Sequence, residues 1–130
     1  MKLAEAKNNI AEIEERLISL RERLRHAPMT TIVDLLTEID ALVVEKQHLK
    51  TTLATIEADT FLAGTSLRDL AFVIESVDNK LATLKELRSR TDLTEEVSAS
   101  VFKQIDDFTK TRSNLKNSMD RTYWQVDLDL

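Results

Sequence analysis

One proline, Pro28, and one glycine, Gly64, are the only residues of either kind in a chain of 130. A chain so poor in breakers cannot make the many turns of a sandwich or barrel, and it is free to run in long helices. Both breakers fall between apolar stripes, so they act as punctuation. Before Pro28, the residues Leu3, Ala6, Ile10, Ile13, Leu17, Leu20 and Leu24 recur in steps of three and four. That spacing places them on one face of a helix, with Glu12, Glu15, Arg16, Glu22 and Arg23 on the other.

A second stripe runs Ile32, Leu35, Ile39, Leu42, Lys46, Leu49, Leu53 and Ile56, and Leu36 and Val43 widen it toward a more buried helix. Thr31 and Asp34 have the spacing of a capping box. Gly64 then offers the left-handed residue that commonly closes a helix. The third stripe is Leu67, Leu70, Ile74, Val77, Leu81 and Leu84, behind a cap at Ser66 and Asp69. The fourth is Val101, Ile105, Phe108, Arg112, Leu115 and Met119, behind Thr94, Glu95 and Glu96, whose acidity suits the positive end of a helix dipole.

These stripes predict helices over about 2–26, 31–58, 66–89 and 95–122 in one domain of residues 1–130, each roughly 37 Å long. Short turns make neighbours antiparallel. The predicted fold is therefore all-α, an up-down-up-down four-helix bundle with coiled-coil-like seams. A helical hairpin that completes its core in a dimer is the near alternative.

The end of the chain differs in kind. Trp124, Val126, Leu128 and Leu130 recur every second position, the period of an extended strand, which predicts an arm over 124–130. Such an arm either folds back on its own helices or crosses to a neighbouring subunit, and both courses stay open. Narrow seams and an apolar arm together predict a homo-oligomer, with these four residues as candidate interface.

Composition removes several functions. With no cysteine, thiol catalysis, Cys-ligated zinc and disulfides are excluded. A net charge of −5 disfavours nucleic acid as a partner. No apolar run approaches the ~18 residues of a membrane span, and the opening MKLAEAKNNIAEIEE has no signal-peptide core. The expectation is a cytoplasmic protein, in a host cytoplasm if the gene is viral. One glycine forbids a Gly-rich phosphate loop, and no nucleophile elbow occurs. Glu45 stands three residues before His48 as in di-iron bundles, but Arg23 stands where His26 would need its own Glu. No catalytic residue, metal or cofactor is predicted.

The cations are better organised. Arg21, Arg23, Arg25 and His26 close the first helix, and Lys85, Arg88 and Arg90 the third. In an up-and-down bundle these ends share a pole with two helix N-termini, which makes Arg21, Arg25, Arg88 and Arg90 candidate ligands for a small anion. Basic residues favour helix C-termini in any case, and Asp34, Asp92, Glu95 and Glu96 can neutralise them. Lys46 and Arg112 interrupt apolar stripes. Such residues commonly lay their stems on the core with the charge in water, and the alternative is a polar layer that sets register or grips an anion.

Five segments resemble a known family in the same order: MKLAEA at the start, SLRERL at Ser19 to Leu24, GTSL at Gly64 to Leu67, KQIDD at Lys103 to Asp107 and YWQVDL at Tyr123 to Leu128. The chain resembles the septicolysin-like group of small helical bacterial proteins. It departs from them in a shorter connection between the third and fourth helices and in Tyr123, where the family pattern leads one to expect Asn. The resemblance implies the helical fold and leaves function open, since the family has no agreed activity. Two functional expectations follow: a non-catalytic, self-associating interaction module, or an oligomeric binder that sequesters a small anionic ligand, such as a nucleotide signal.

Overall fold

The computed structural model describes residues 1–128. The protein is all-α, as the stripes predict, with four long helices: α1 (Leu3–His26), α2 (Met29–Asp59), α3 (Leu67–Arg88) and α4 (Glu95–Gln125). A minimal antiparallel hairpin, β1 (Phe61–Leu62) with β2 (Thr65–Ser66), joins α2 to α3.

Local chemistry starts and stops these helices. The backbone N–H of Lys2 donates to the Glu5 carboxylate at 3.3 Å, half of a capping box for α1. Ser66 caps α3 by accepting from the Asp69 N–H at 3.1 Å, as its spacing predicts. Thr94 accepts from the Val97 N–H at 3.3 Å and opens α4. The box expected from Thr31 and Asp34 does not form. Helix α2 begins two residues earlier, directly after Pro28, and the Thr31 hydroxyl donates to the Pro28 carbonyl at 3.0 Å instead. A proline at the helix start gives up a backbone N–H that has no helical partner there, so it seeds the turn at no cost.

Gly64 also takes a different part from the one expected. It has φ +85 and Ala63 has φ +51, two successive left-handed residues that form the loop of the β1–β2 hairpin rather than a helix cap. Such a pair twists with the strands it joins, which is why two-residue hairpin loops favour it. Ala63 has a Cβ and is strained there.

The chain forms two compact units. The first comprises Met1–Glu57 together with the chain from Tyr123 on; the second is Ala58–Thr122. In the first, α1 buries Leu3, Ala6, Ile10, Ile13, Leu17 and Leu20, and α2 buries Leu35, Ile39, Leu49 and Leu53. Full burial of each such leucine stabilises by about 1.5–3 kcal/mol. Leu36 and Val43, read from sequence as broadening this core, are each 44% exposed. In the second unit, Leu67, Leu70, Leu81 and Leu84 of α3 and Val101 and Met119 of α4 are buried.

The terminal arm starts later than its alternation suggests, because α4 runs on through Trp124 and Gln125. Tyr123 lies four residues past Met119, continues the fourth apolar stripe, and is 3% exposed. That anchor keeps the last turn helical. Among the described residues, 126–128 follow the helix and return to the protein's own N-terminal residues. Leu130 lies outside the described residues.

Candidate functional site

The arm and the start of α1 form a short antiparallel bridge, Lys2 to Asp127. The Leu3 N–H donates to the Val126 carbonyl at 3.0 Å, and the Leu128 N–H donates to the Met1 carbonyl at 2.7 Å. The Lys2 ammonium sits 3.0 Å from the Asp127 carboxylate. Leu128 is buried, Val126 half-buried, and Trp124 stands out at 55% exposure. Of the three described candidate interface residues, Trp124 is therefore the one whose side chain faces water. Sequence reading passed over the neighbouring group: the Tyr123 hydroxyl donates to the Glu57 carboxylate, and the Lys7 ammonium lies 4.3 Å from the centre of the Tyr123 ring. The stripe spacing from Met119 was the available signal for Tyr123; no sequence rule pairs it with Glu57.

The candidate anion ligands divide between the units. Arg21 and Arg25 lie near the end of α1 in the first, and Arg88 and Arg90 at and just past the end of α3 in the second. Arg25 is 3.8 Å from Glu22, which also lies 3.9 Å from the His26 imidazole. An open cleft of about 660 Å³ lies at this tip. Its wall carries Glu22, Asp34 and Glu38 against Arg23 and His26, so its charge is mixed and not positive. In the second unit Arg90 grips Asp92 with two nitrogens, Nε at 2.8 Å, and this holds the Asp92 carboxyl below its ordinary range. Arg88 lies over the Phe102 ring at 6.0 Å.

The two cations in the apolar stripes each meet a carboxylate from the other helix of their own unit. Lys46 Nζ is 3.4 Å from Glu14, which Lys50 also approaches at 3.7 Å. Arg112 is bonded through Nε and a terminal nitrogen to Asp78. With 28% and 33% of their side chains exposed, these cations are neither free in water nor fully desolvated. Each cation thus lies against a protein carboxylate while part of its side chain still meets water.

Among the described residues, no group of three His, Cys, Asp or Glu could hold a metal ion, and no helix is long and apolar enough to cross a membrane. His26 and His48 are both exposed. A further stripe is apolar and uncovered. On α2, Met29, Val33, Leu36, Val43 and Val44 are 85%, 70%, 44%, 44% and 68% exposed. At 100° per residue they form a single strip, roughly a third of a turn round from the buried one. On α3 and α4, Phe72, Val73, Val77 and Phe108 line a shallow groove of about 320 Å³. No family model matches this chain, and no curated protein or solved structure matches it either.

Proposed function

We propose that this protein is a non-catalytic assembly module of the cytoplasm, which works by binding further copies of itself through the uncovered face of α2. The exposed stripe on that helix carries this reading. Met29, Val33, Leu36 and Val43 follow the spacing of a coiled-coil seam in which Asp40 holds the intervening position, and Met29 and Val33 are 85% and 70% exposed. Exposed apolar side chains gathered on one helix face are costly to leave in water, and such patches usually mark interfaces. A second copy offers the same strip, so two copies satisfy each other by the self-complementary contact common in homo-oligomers. Trp124 adds exposed aromatic surface in the same unit.

Light scattering on the full-length protein at micromolar concentration tests this. The mass should exceed the 14.8 kDa of one chain. Val33→Glu with Val44→Glu should return a monomer whose helical circular dichroism is unchanged, because both side chains face outward. A monomeric parent protein would sink the proposal.

The alternative, a small anion held by Arg21, Arg25, Arg88, Arg90, Lys46 or Arg112, has weaker support. Arg25, Lys46, Arg90 and Arg112 already face carboxylates. An incoming anion would have to displace them and leave those acids unpaired. A selective, salt-sensitive rise in melting temperature with nucleotides or phosphate would revive it.

A further inference from the structure

The two units share more than a helical hairpin. A constant shift of 64 positions carries Leu3, Ile10, Leu17 and Leu20 of α1 onto Leu67, Ile74, Leu81 and Leu84 of α3. A shift of 66 carries Leu35, Ile39, Leu49, Lys50 and Leu53 of α2 onto Val101, Ile105, Leu115, Lys116 and Met119 of α4. The two shifts differ by two residues, taken up where the connection after α3 is longer than the Ala27–Pro28 turn after α1. Any two amphipathic hairpins can be slid until leucines coincide, so this alone decides nothing.

Other features recur under the same shifts, and periodicity does not require them. Glu14 maps to Asp78 and Lys46 to Arg112, so the ion pair within the first unit and the ion pair within the second occupy the same helical positions. The closing hydrogen bonds correspond as well. Leu3 N–H to the Val126 carbonyl, 3.0 Å, maps to Leu67 N–H to the Thr60 carbonyl, 2.8 Å. The bridge between Lys2 and Asp127 maps to the pairing of Ser66 with Phe61. Beside it, the pair of Met1 and Leu128, joined at 2.7 Å, stands where Thr65 pairs with Leu62. Glu57 and Tyr123 are themselves equivalent positions, and they are hydrogen-bonded to each other.

From these coincidences we infer that the chain is a duplicated helical-hairpin module, residues 1–64 and 65–130, in which each module carries the arm that closes the other's α-helical pair. The tail of α2 pairs with the start of α3, and the tail of α4 with the start of α1. The partner that one module is built to bind is thus a second copy of the same module, and both copies are present in one chain. The Ala63–Gly64 loop is then a covalent join at one of two equivalent closures.

Moving the join tests this on the whole chain. Leu130 is fused to Met1, with Asp129→Asn and Leu130→Gly to supply a two-residue hairpin loop, and the chain is opened between Ala63 and Gly64. The permuted protein should keep the parent's helical circular dichroism and native mass and melt within about 5 °C of it. A permuted protein that is unfolded or aggregated would overturn the inference. A second measurement needs no variant. In the parent protein the Leu3 and Leu67 amides should both exchange slowly, with rates within about tenfold of each other. Leu3 exchanging as freely as an amide in an unfolded chain, beside a protected Leu67, would overturn it equally.

Discussion

The first unit buries its seam more completely than the second. Ile10, Ile13, Ile39 and Leu49 are buried, whereas their counterparts Ile74, Val77, Ile105 and Leu115 are only half-buried. The difference reverses outside the seam. Where the first unit has Asn8 and Asn9, the second has Phe72 and Val73, 56% and 43% exposed, beside the groove that includes Phe108. The same helical pair thus forms with asparagine or with large apolar residues at those positions. Phe72 and Val73 are exposed apolar surface that the first unit lacks at these positions. The tips differ too: in the second unit Arg88 stacks on Phe102, while the equivalent positions in the first hold Leu24 and Leu36.

The largest effect that can break this comparison is a cavity in each seam. Leu17 is 2% exposed and Leu81 7%. Leu17→Ala should destabilise by about 3–5 kcal/mol and Leu81→Ala by about 2–3 kcal/mol, in line with leucine truncations whose cost grows with the cavity left. Urea unfolding of both variants checks the order, and equal losses would mean that the two seams are packed alike.

Deleting 126–130 is the next largest change. It removes the buried Leu128 and the bonds that close the start of α1, and should cost about 2–3 kcal/mol in the same assay. The amide of Leu67, closed by a different arm, should keep its hydrogen-exchange protection relative to global unfolding. Equal loss of protection at both ends would show that the units unfold as one.

The smallest effect sharpens the comparison at the hairpin. Ala63 holds a left-handed backbone at φ +51. Ala63→Asn relieves that strain in a loop type that favours Asn-Gly, and should stabilise by about 1 kcal/mol, or about 3 °C in melting temperature. A lower melting temperature would show that Ala63 contributes a contact which outweighs its strain.

Sequence alone determined the four helices, and for a definite reason. Stripes such as Leu3 to Leu20 and Leu67 to Leu84 repeat at helical spacing over many turns, and Ser66 supplies a cap whose partner lies three residues away. These are local signals, complete within one element. The positions of Lys46 and Arg112 inside their stripes were equally legible. Which carboxylate answers each of them was not, because Glu14 and Asp78 lie more than thirty residues away in sequence. The acids beside two candidate anion ligands were legible, since Glu22 lies three residues before Arg25 and Asp92 two after Arg90. The arm shows the boundary most clearly. Alternation in 124–130 suggested an extended segment, but burial of Tyr123 keeps Trp124 helical, and hydrogen bonds to Met1 and Leu3 decide where 126–128 goes. The duplication was hidden by the same limit. Few residues are identical between the halves, and the longer second turn changes the shift midway, so the repeat emerges only when equivalent hydrogen bonds and ion pairs can be compared. Local periodicity specifies the helices, since each can be read within its own turns; tertiary structure decides their partners, since those bonds depend on residues brought together only by folding.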